Sequence, residues 1–219
     1  MKKNKGDRIM PIWFGILIFV ISFLLGIASK LFIKPAWSKN YSVEWDDSIG
    51  TIISDISYGA GEKNTFDLYL PQNNTRENYG LVVYLHAGGF TSGDKTDDAG
   101  TLEWLCSKGY VAAGINYTLF SEEHPDANVY TQSMEIKEAV PFVIEAAKQA
   151  GYNIDKMTVA GGSAGHTLAM IYAYRDGKEA PVSVVFTYGG VGPSSFYQED
   201  WGISVSYTHL RAHETLANL

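Results

Sequence analysis

Two short stretches hold residues whose types and spacing suit acyl transfer. Residues 157–165 read M-T-V-A-G-G-S-A-G and contain G-x-S-x-G as Gly161, Gly162, Ser163, Ala164 and Gly165. The stretch lies between a predicted strand and a predicted helix. A serine nucleophile needs such a setting, because a sharp strand-to-helix turn lifts its hydroxyl above the sheet. Small flanking residues let neighbouring chain approach that turn. The N–H groups that open the helix favour negative charge developing beside it. The second stretch is His86-Ala87-Gly88-Gly89-Phe90, directly after the apolar run 81–85 and 77 residues before Ser163. Glycine N–H groups can be aimed into a cleft with no side chain in the way, and the oxyanion of a tetrahedral intermediate requires such donors.

Together these motifs resemble the α/β-hydrolase fold, and within it the lipase and esterase branch with an H-G-G-G oxyanion loop. The resemblance extends over about 52–188 and includes I-D-K-M-T-V-A-G-G-S-A-G. It implies that Ser163 is the nucleophile and that the N–H groups of Gly88, Gly89 and Ala164 form the oxyanion hole. It implies that His86 shapes the oxyanion loop without acting as the base. A carboxylic ester would be the substrate, an acyl-serine the intermediate, and no cofactor or metal is expected. Ala87 replaces the first glycine of the loop motif, at a position not expected to donate. His166 stands where these enzymes often have glycine, and its side chain is expected to face sheet or solvent.

Elements must hold these motifs side by side. Strands are predicted near 51–57, at 65–70 (T-F-D-L-Y-L, closed by Pro71 and expected near a sheet edge), and at 81–85, 111–115, 157–160 and 182–186. The runs at 81–85 and 111–115 are apolar without alternation, which suits strands covered on both faces. Helices are predicted at 101–108, 129–150 and 164–174, with Pro141 expected to kink or divide the second. This alternation implies a mostly parallel sheet with helices on both faces.

Other candidates carry less chemistry. Gly59-Ala60-Gly61 reads as a turn. Asp94, Asp97 and Asp98 could bind a cation, but such a cluster is more often a solvated loop or a helix start. Asn40-Tyr41-Ser42, Asn73-Asn74-Thr75 and Asn116-Tyr117-Thr118 match the glycosylation acceptor pattern.

Composition bounds the rest. Of 219 residues, 46% are hydrophobic and 19% charged, which excludes a disordered chain. The lone cysteine, Cys106, excludes an internal disulfide framework and a cysteine-based zinc site. The net charge of −7 is unevenly spread: residues 1–39 carry +6 and residues 40–204 carry −13. That acidic bulk argues against a nucleic-acid partner. Residues 9–29 contain no charge and, as a helix, are long enough to cross a bilayer. Lys2, Lys3, Lys5 and Arg8 precede them, so the predicted arrangement is a single-pass signal anchor with the bulk outside the cytoplasm. The competing reading is a cleaved signal peptide, since Gly26 and Ala28 have the small-residue spacing of a cleavage site. Trp37 and Trp45 would suit either a membrane interface or the folded domain.

A serine hydrolase of this fold needs an acid and then a histidine after its nucleophile. Only one strand is legible beyond Ser163, and Glu199 and Asp200 fall too early for the acid. His209 and His213 lie within V-S-Y-T-H-L-R-A-H-E-T at 205–215, which matches an in-frame translation of a transposase sequencing adapter. Residues 205–219 are therefore expected to be a non-native tail, and 40–204 a hydrolase domain lacking its C-terminal strands, acid and base. As it stands the chain is expected to be inactive. The same motifs would serve a peptidase or amidase. A non-catalytic extracellular binding module is the remaining alternative, although it would have no need of Ser163. The sequence says nothing of oligomeric state.

Overall fold

The computed structural model describes residues 12–32, 41–72 and 75–189. The chain divides into two compact units, Met1–Tyr41 and Ser42–Leu219. In the first, helix α1 spans Ile12–Phe32. Its described side chains run over 13–29, and those of Trp13, Phe19, Phe23 and Leu25 are at least 60% exposed. Among the described residues no helix is long and apolar enough to cross a membrane. The helix takes in 12–29 of the predicted segment 9–29, and residues 9–11 lie outside the described residues.

Among the described residues, the second unit holds a six-stranded sheet with helices on both faces. The strands are β1 (Gly50–Ser57), β2 (Thr65–Pro71), β3 (Tyr79–Leu85), β4 (Val111–Ile115), β5 (Ile154–Gly161) and β6 (Ser183–Gly189). The helices are α2 (Ala99–Ser107), α3 (Val129–Gln149) and α4 (Ala164–Ile171). Strand order is β1-β2-β4-β3-β5-β6. The β1–β2 and β2–β4 pairs are antiparallel, and β4–β3, β3–β5 and β5–β6 are parallel. Alternate residues of the central strands feed two cores. Phe66, Leu68, Leu81, Val83, Leu85 and Val111 pack with α3 and α4 on one face. Tyr69 and Ala112 pack with Leu102 and Cys106 of α2 on the other. Trp45 joins that second core, edge-on to Tyr69 at 6.1 Å, so it belongs to the folded unit; Trp37 lies outside the described residues.

Three expectations need correction. First, β2 does lie near the sheet edge, one strand in beside β1, but it is paired on both sides and does not alternate: Phe66 to Pro71 are all buried. Asp67 supplied the misleading alternation: its carboxylate is buried because Lys95 reaches it at 2.8 Å. Second, Pro141 neither divides α3 nor ends it. It lies on the exposed side, where the carbonyl that loses its N–H partner can turn to water. Third, α4 ends at Ile171 and one π-helical turn, Tyr172–Asp176, follows.

The chain leaves β3 for β4 on one side and returns to β5 on the other. The carboxyl ends of β3 and β5 thus flank the point where the strand order reverses, and open α/β sheets form their ligand crevices at such points.

Candidate active site

Both chemical motifs sit at that point. Leu85, the last residue of β3, is in register with Gly161, the last of β5. The loop 86–94 and the turn at 162–163 therefore emerge side by side, and Gly162 N–H donates to Leu85 O at 3.3 Å. Ser163 then adopts φ +46° and ψ −113° before α4 begins. A non-glycine residue rarely takes that conformation, and it persists only where the surroundings impose it. Here Gly165 imposes it by close approach: a side chain on Gly165 would overlap the carbonyl oxygens of Leu85 and His86. With only a hydrogen there, α4 starts hard against the end of β3. The Ser163 side chain is exposed. Ala164, first residue of α4, has no intrahelical acceptor for its N–H.

The loop after β3 is wound tightly. Gly88 O accepts from Thr91 N–H at 3.1 Å and from Ser92 N–H at 3.0 Å. Gly88 has φ +129°, and a Cβ there would collide with Ser92 O; only glycine fits. Phe90 (φ +70°) buries its ring in the core while Gly89 stays at the surface. The three predicted donors, Gly88, Gly89 and Ala164, thus lie on two loops made adjacent by the β3–β5 pairing.

His86 is buried and stacks on Tyr117, with ring centroids 4.3 Å apart and planes 6° from parallel. Its Nδ1 lies 2.7 Å from Ala87 O. Because that partner is a carbonyl, Nδ1 carries the proton. Tyr117 Oη donates to His86 O at 2.9 Å. His86 Nε2 is buried without a partner among the described residues, and burial pushes the ring below the usual imidazole range. His86 is a neutral brace for the loop. His166 is also buried, and a Cβ on Gly189 at the end of β6 would strike its ring; it faces the sheet. The Ser163 hydroxyl has no hydrogen-bond partner among the described residues. Glu199, Asp200, His209 and His213 lie outside the described residues.

The acidic cluster has another task. Asp94 and Asp97 form a reciprocal capping box at the 3-10 turn Lys95–Asp98. Burial works against the Asp94 carboxylate, but hydrogen bonds from Thr96 and Asn116 outweigh it and hold its pKa at about 2. Among the described residues no group of three or more His, Cys, Asp or Glu could hold a metal ion. The glycine pair 59 and 61 forms a turn closed by Asn64, whose Oδ1 accepts from Gly61 N–H at 2.9 Å. The Cys106 thiol is buried and pushed up to about 12, so it is not a nucleophile.

Sequence reasoning missed the residues that hold the Gly88–Gly89 loop from behind. Asn116 Oδ1 accepts from Lys95 N–H at 2.6 Å and its Nδ2 donates to Asp94 at 2.8 Å. Gln132 Nε2 donates to Phe90 O at 3.0 Å. Gln132 had a legible signal: it interrupts the apolar stripe Val129, Ile136, Ala139, Val140 and Val143 on the buried face of α3.

Comparison with known proteins agrees with this geometry. Esterase LipI of Mycobacterium tuberculosis (strain ATCC 25618 / H37Rv) is 33% identical over 97 residues, covering 43% of this chain and 29% of that protein. Kynurenine formamidase of Danio rerio is 28% identical over 137 residues, covering 62% of this chain and 43% of that protein. The matches thus span less than half the length of either relative. Among solved structures, esterase B from Lactobacillus Rhamnosis (HN001) superposes with a TM-score of 0.64 at 19% identity, over 93% of this chain and 68% of that one. At that identity the likeness establishes the α/β-hydrolase fold alone. The BD-FAE family profile matches residues 66–190, from the start of β2 to just past β6. Since that span is more than half of the sequence and takes in both the glycine loop and the serine elbow, the chain belongs to the BD-FAE family.

Proposed function

We propose that this chain carries the nucleophile and oxyanion hole of a serine hydrolase acting on carboxylic esters. The observation that carries this reading is the left-handed conformation of an exposed Ser163, one residue ahead of α4 and beside the Gly88–Gly89 loop. Ser163 Oγ attacks the ester carbonyl carbon, and the carbonyl oxygen takes up negative charge. The N–H groups of Gly88, Gly89 and Ala164 receive that charge, the alcohol departs, and water releases the acid from the acyl-serine. The serine proton must pass to a histidine oriented by an acid. His86 Nδ1 is committed to Ala87 O, and the His166 ring packs against the end of β6, so this reading takes the base and its acid from outside the described residues. The test is hydrolysis of short acyl p-nitrophenyl esters by the intact gene's product, in which this reading places the base and acid. Ser163→Ala should lower kcat by at least about 10³-fold, and an alanine variant of unchanged activity would remove Ser163 as nucleophile.

Amide hydrolysis is a second reading, favoured by the likeness to a formamidase. The elbow and loop serve either leaving group, so matched ester and anilide substrates separate the two. For localisation we propose a single-pass anchor through residues 9–29 with the hydrolase unit outside the cytoplasm, or a secreted unit after cleavage. The uncharged run and the preceding basic residues support it.

A further inference from the structure

One buried side chain ties the loop bearing Gly88 and Gly89 to the segment that follows β4. Gln132, in the first turns of α3, is 0% exposed. Its Nε2 donates to Phe90 O at 3.0 Å and to Thr118 O at 2.9 Å. Both partners are carbonyls, so the nitrogen and not the oxygen of the amide must face them. Phe90 O also accepts from Phe120 N–H at 3.1 Å. With its ring in the core and φ at +70°, Phe90 is held at both ends, and the two glycines directly precede it.

The other polar groups on this part of α3 have different partners. Asn128 caps the helix, Ser133 Oγ donates to Tyr130 O, and Glu135 accepts from Thr118 N–H. Gln132 Oε1 is buried without a partner among the described residues. A residue serving only to pack α3 would do better without that desolvated oxygen, as leucine or methionine would. Its two donors therefore account for a glutamine at this position.

We propose that Gln132 is a positioning residue for the oxyanion hole: through the Phe90 carbonyl it fixes the direction in which the Gly88 and Gly89 N–H groups point. This rests on the hydrolase reading above. Donors aimed before the reaction need not reorganise during it, which is the source of oxyanion-hole stabilisation.

Hydrogen exchange of the 219-residue chain tests the clasp without requiring turnover. Gln132→Met keeps the volume and removes both donors. The amides of Thr91, Ser92 and Phe120 should then exchange about tenfold faster, while β5 keeps its wild-type rates. Ser133→Ala, on the same helix but off the loop, should leave those three amides unchanged. Unchanged rates in Gln132→Met, or equal acceleration of the loop and β5, would make Gln132 a packing residue and overturn the proposal. Should Gln132→Met not fold, the wild-type side chain decides. Its Nε2 protons should exchange far more slowly than those of exposed Gln149, and equal rates overturn the proposal. A second readout is the rate at which a fluorophosphonate labels Ser163, where the Oγ–P bond forms and fluoride leaves. That rate should fall in Gln132→Met at an unchanged melting temperature. This labelling is read in the intact gene's product, where its absence in the wild type would count against the hydrolase reading and leave the exchange result to decide the role of Gln132.

Discussion

At the scale of single residues, the site is a set of groups forced into states they would avoid in water. Ser163 takes a backbone conformation natural to glycine, and His86 is kept neutral by burial. The second has a measurable consequence. An imidazole whose folded pKa lies below its unfolded value of about 6.5 binds protons more readily in the unfolded chain. Its contribution to stability is complete above pH 6.5 and is lost as pH falls through the folded value. The melting temperature should therefore fall between pH 7 and pH 5. His86→Phe, which retains the stack on Tyr117, should flatten that slope relative to wild type. Calorimetry at matched ionic strength would measure it, and parallel slopes in the two proteins would remove His86 as a contributor.

At the scale of elements, the loop depends on an ion pair below it. Lys95, 5% exposed, bridges Asp67 of β2 at 2.8 Å and Asp55 of β1 at 2.9 Å. Asp67 is as buried as the lysine, whereas the Asp55 side chain is 75% exposed. Lys95→Met would strand the Asp67 carboxylate and should cost about 3 kcal/mol, against less than about 1 kcal/mol for Asp55→Asn. Urea titration of the two variants would show the difference; equal costs would mean that burial of Asp67 is not the determinant. The same contact explains what the sequence could and could not reveal. The run 111–115 was legible because a strand buried on both faces has no polar positions to confuse the period, and 81–85 because its half-buried positions, Val82 and Tyr84, carry no charge. Ser163, Gly88 and Gly89 were legible because their turns tolerate few other residues. The interior position of β2 was hidden, since Asp67 looks solvent-facing until Lys95, 28 residues away in the chain, is brought over it. Asn116 and Tyr117 were hidden for the same reason: each acts on atoms of a distant loop, and no local spacing marks such a partner. Gln132 shows only as a polar break in the apolar stripe of α3, which does not reveal what it bonds.

At the scale of the whole molecule, two units of opposite charge sit on one chain: +6 over residues 1–39 and −13 over 40–204. The proposed anchor uses only part of this split: Lys2, Lys3, Lys5 and Arg8 stay on the cytoplasmic side, while Lys30, Lys34 and Lys39 follow the span and are exported with the acidic chain. Alkaline carbonate extraction of membranes should leave the protein in the pellet, and deletion of 1–39 should release it. Release of the intact chain by carbonate would refute the anchor. The fold also bears on how such a chain can be produced. Asn116 begins one of the three glycosylation patterns, yet its side chain is spent inside the protein, between the Lys95 backbone and the Asp94 carboxylate. An oligosaccharide added there during synthesis would occupy the space that the loop before α2 must fill. A host that decorates secreted asparagines would thus set its own sugar-transfer machinery against the folding of this protein. Thr118→Val would erase the acceptor pattern while keeping both backbone contacts of residue 118.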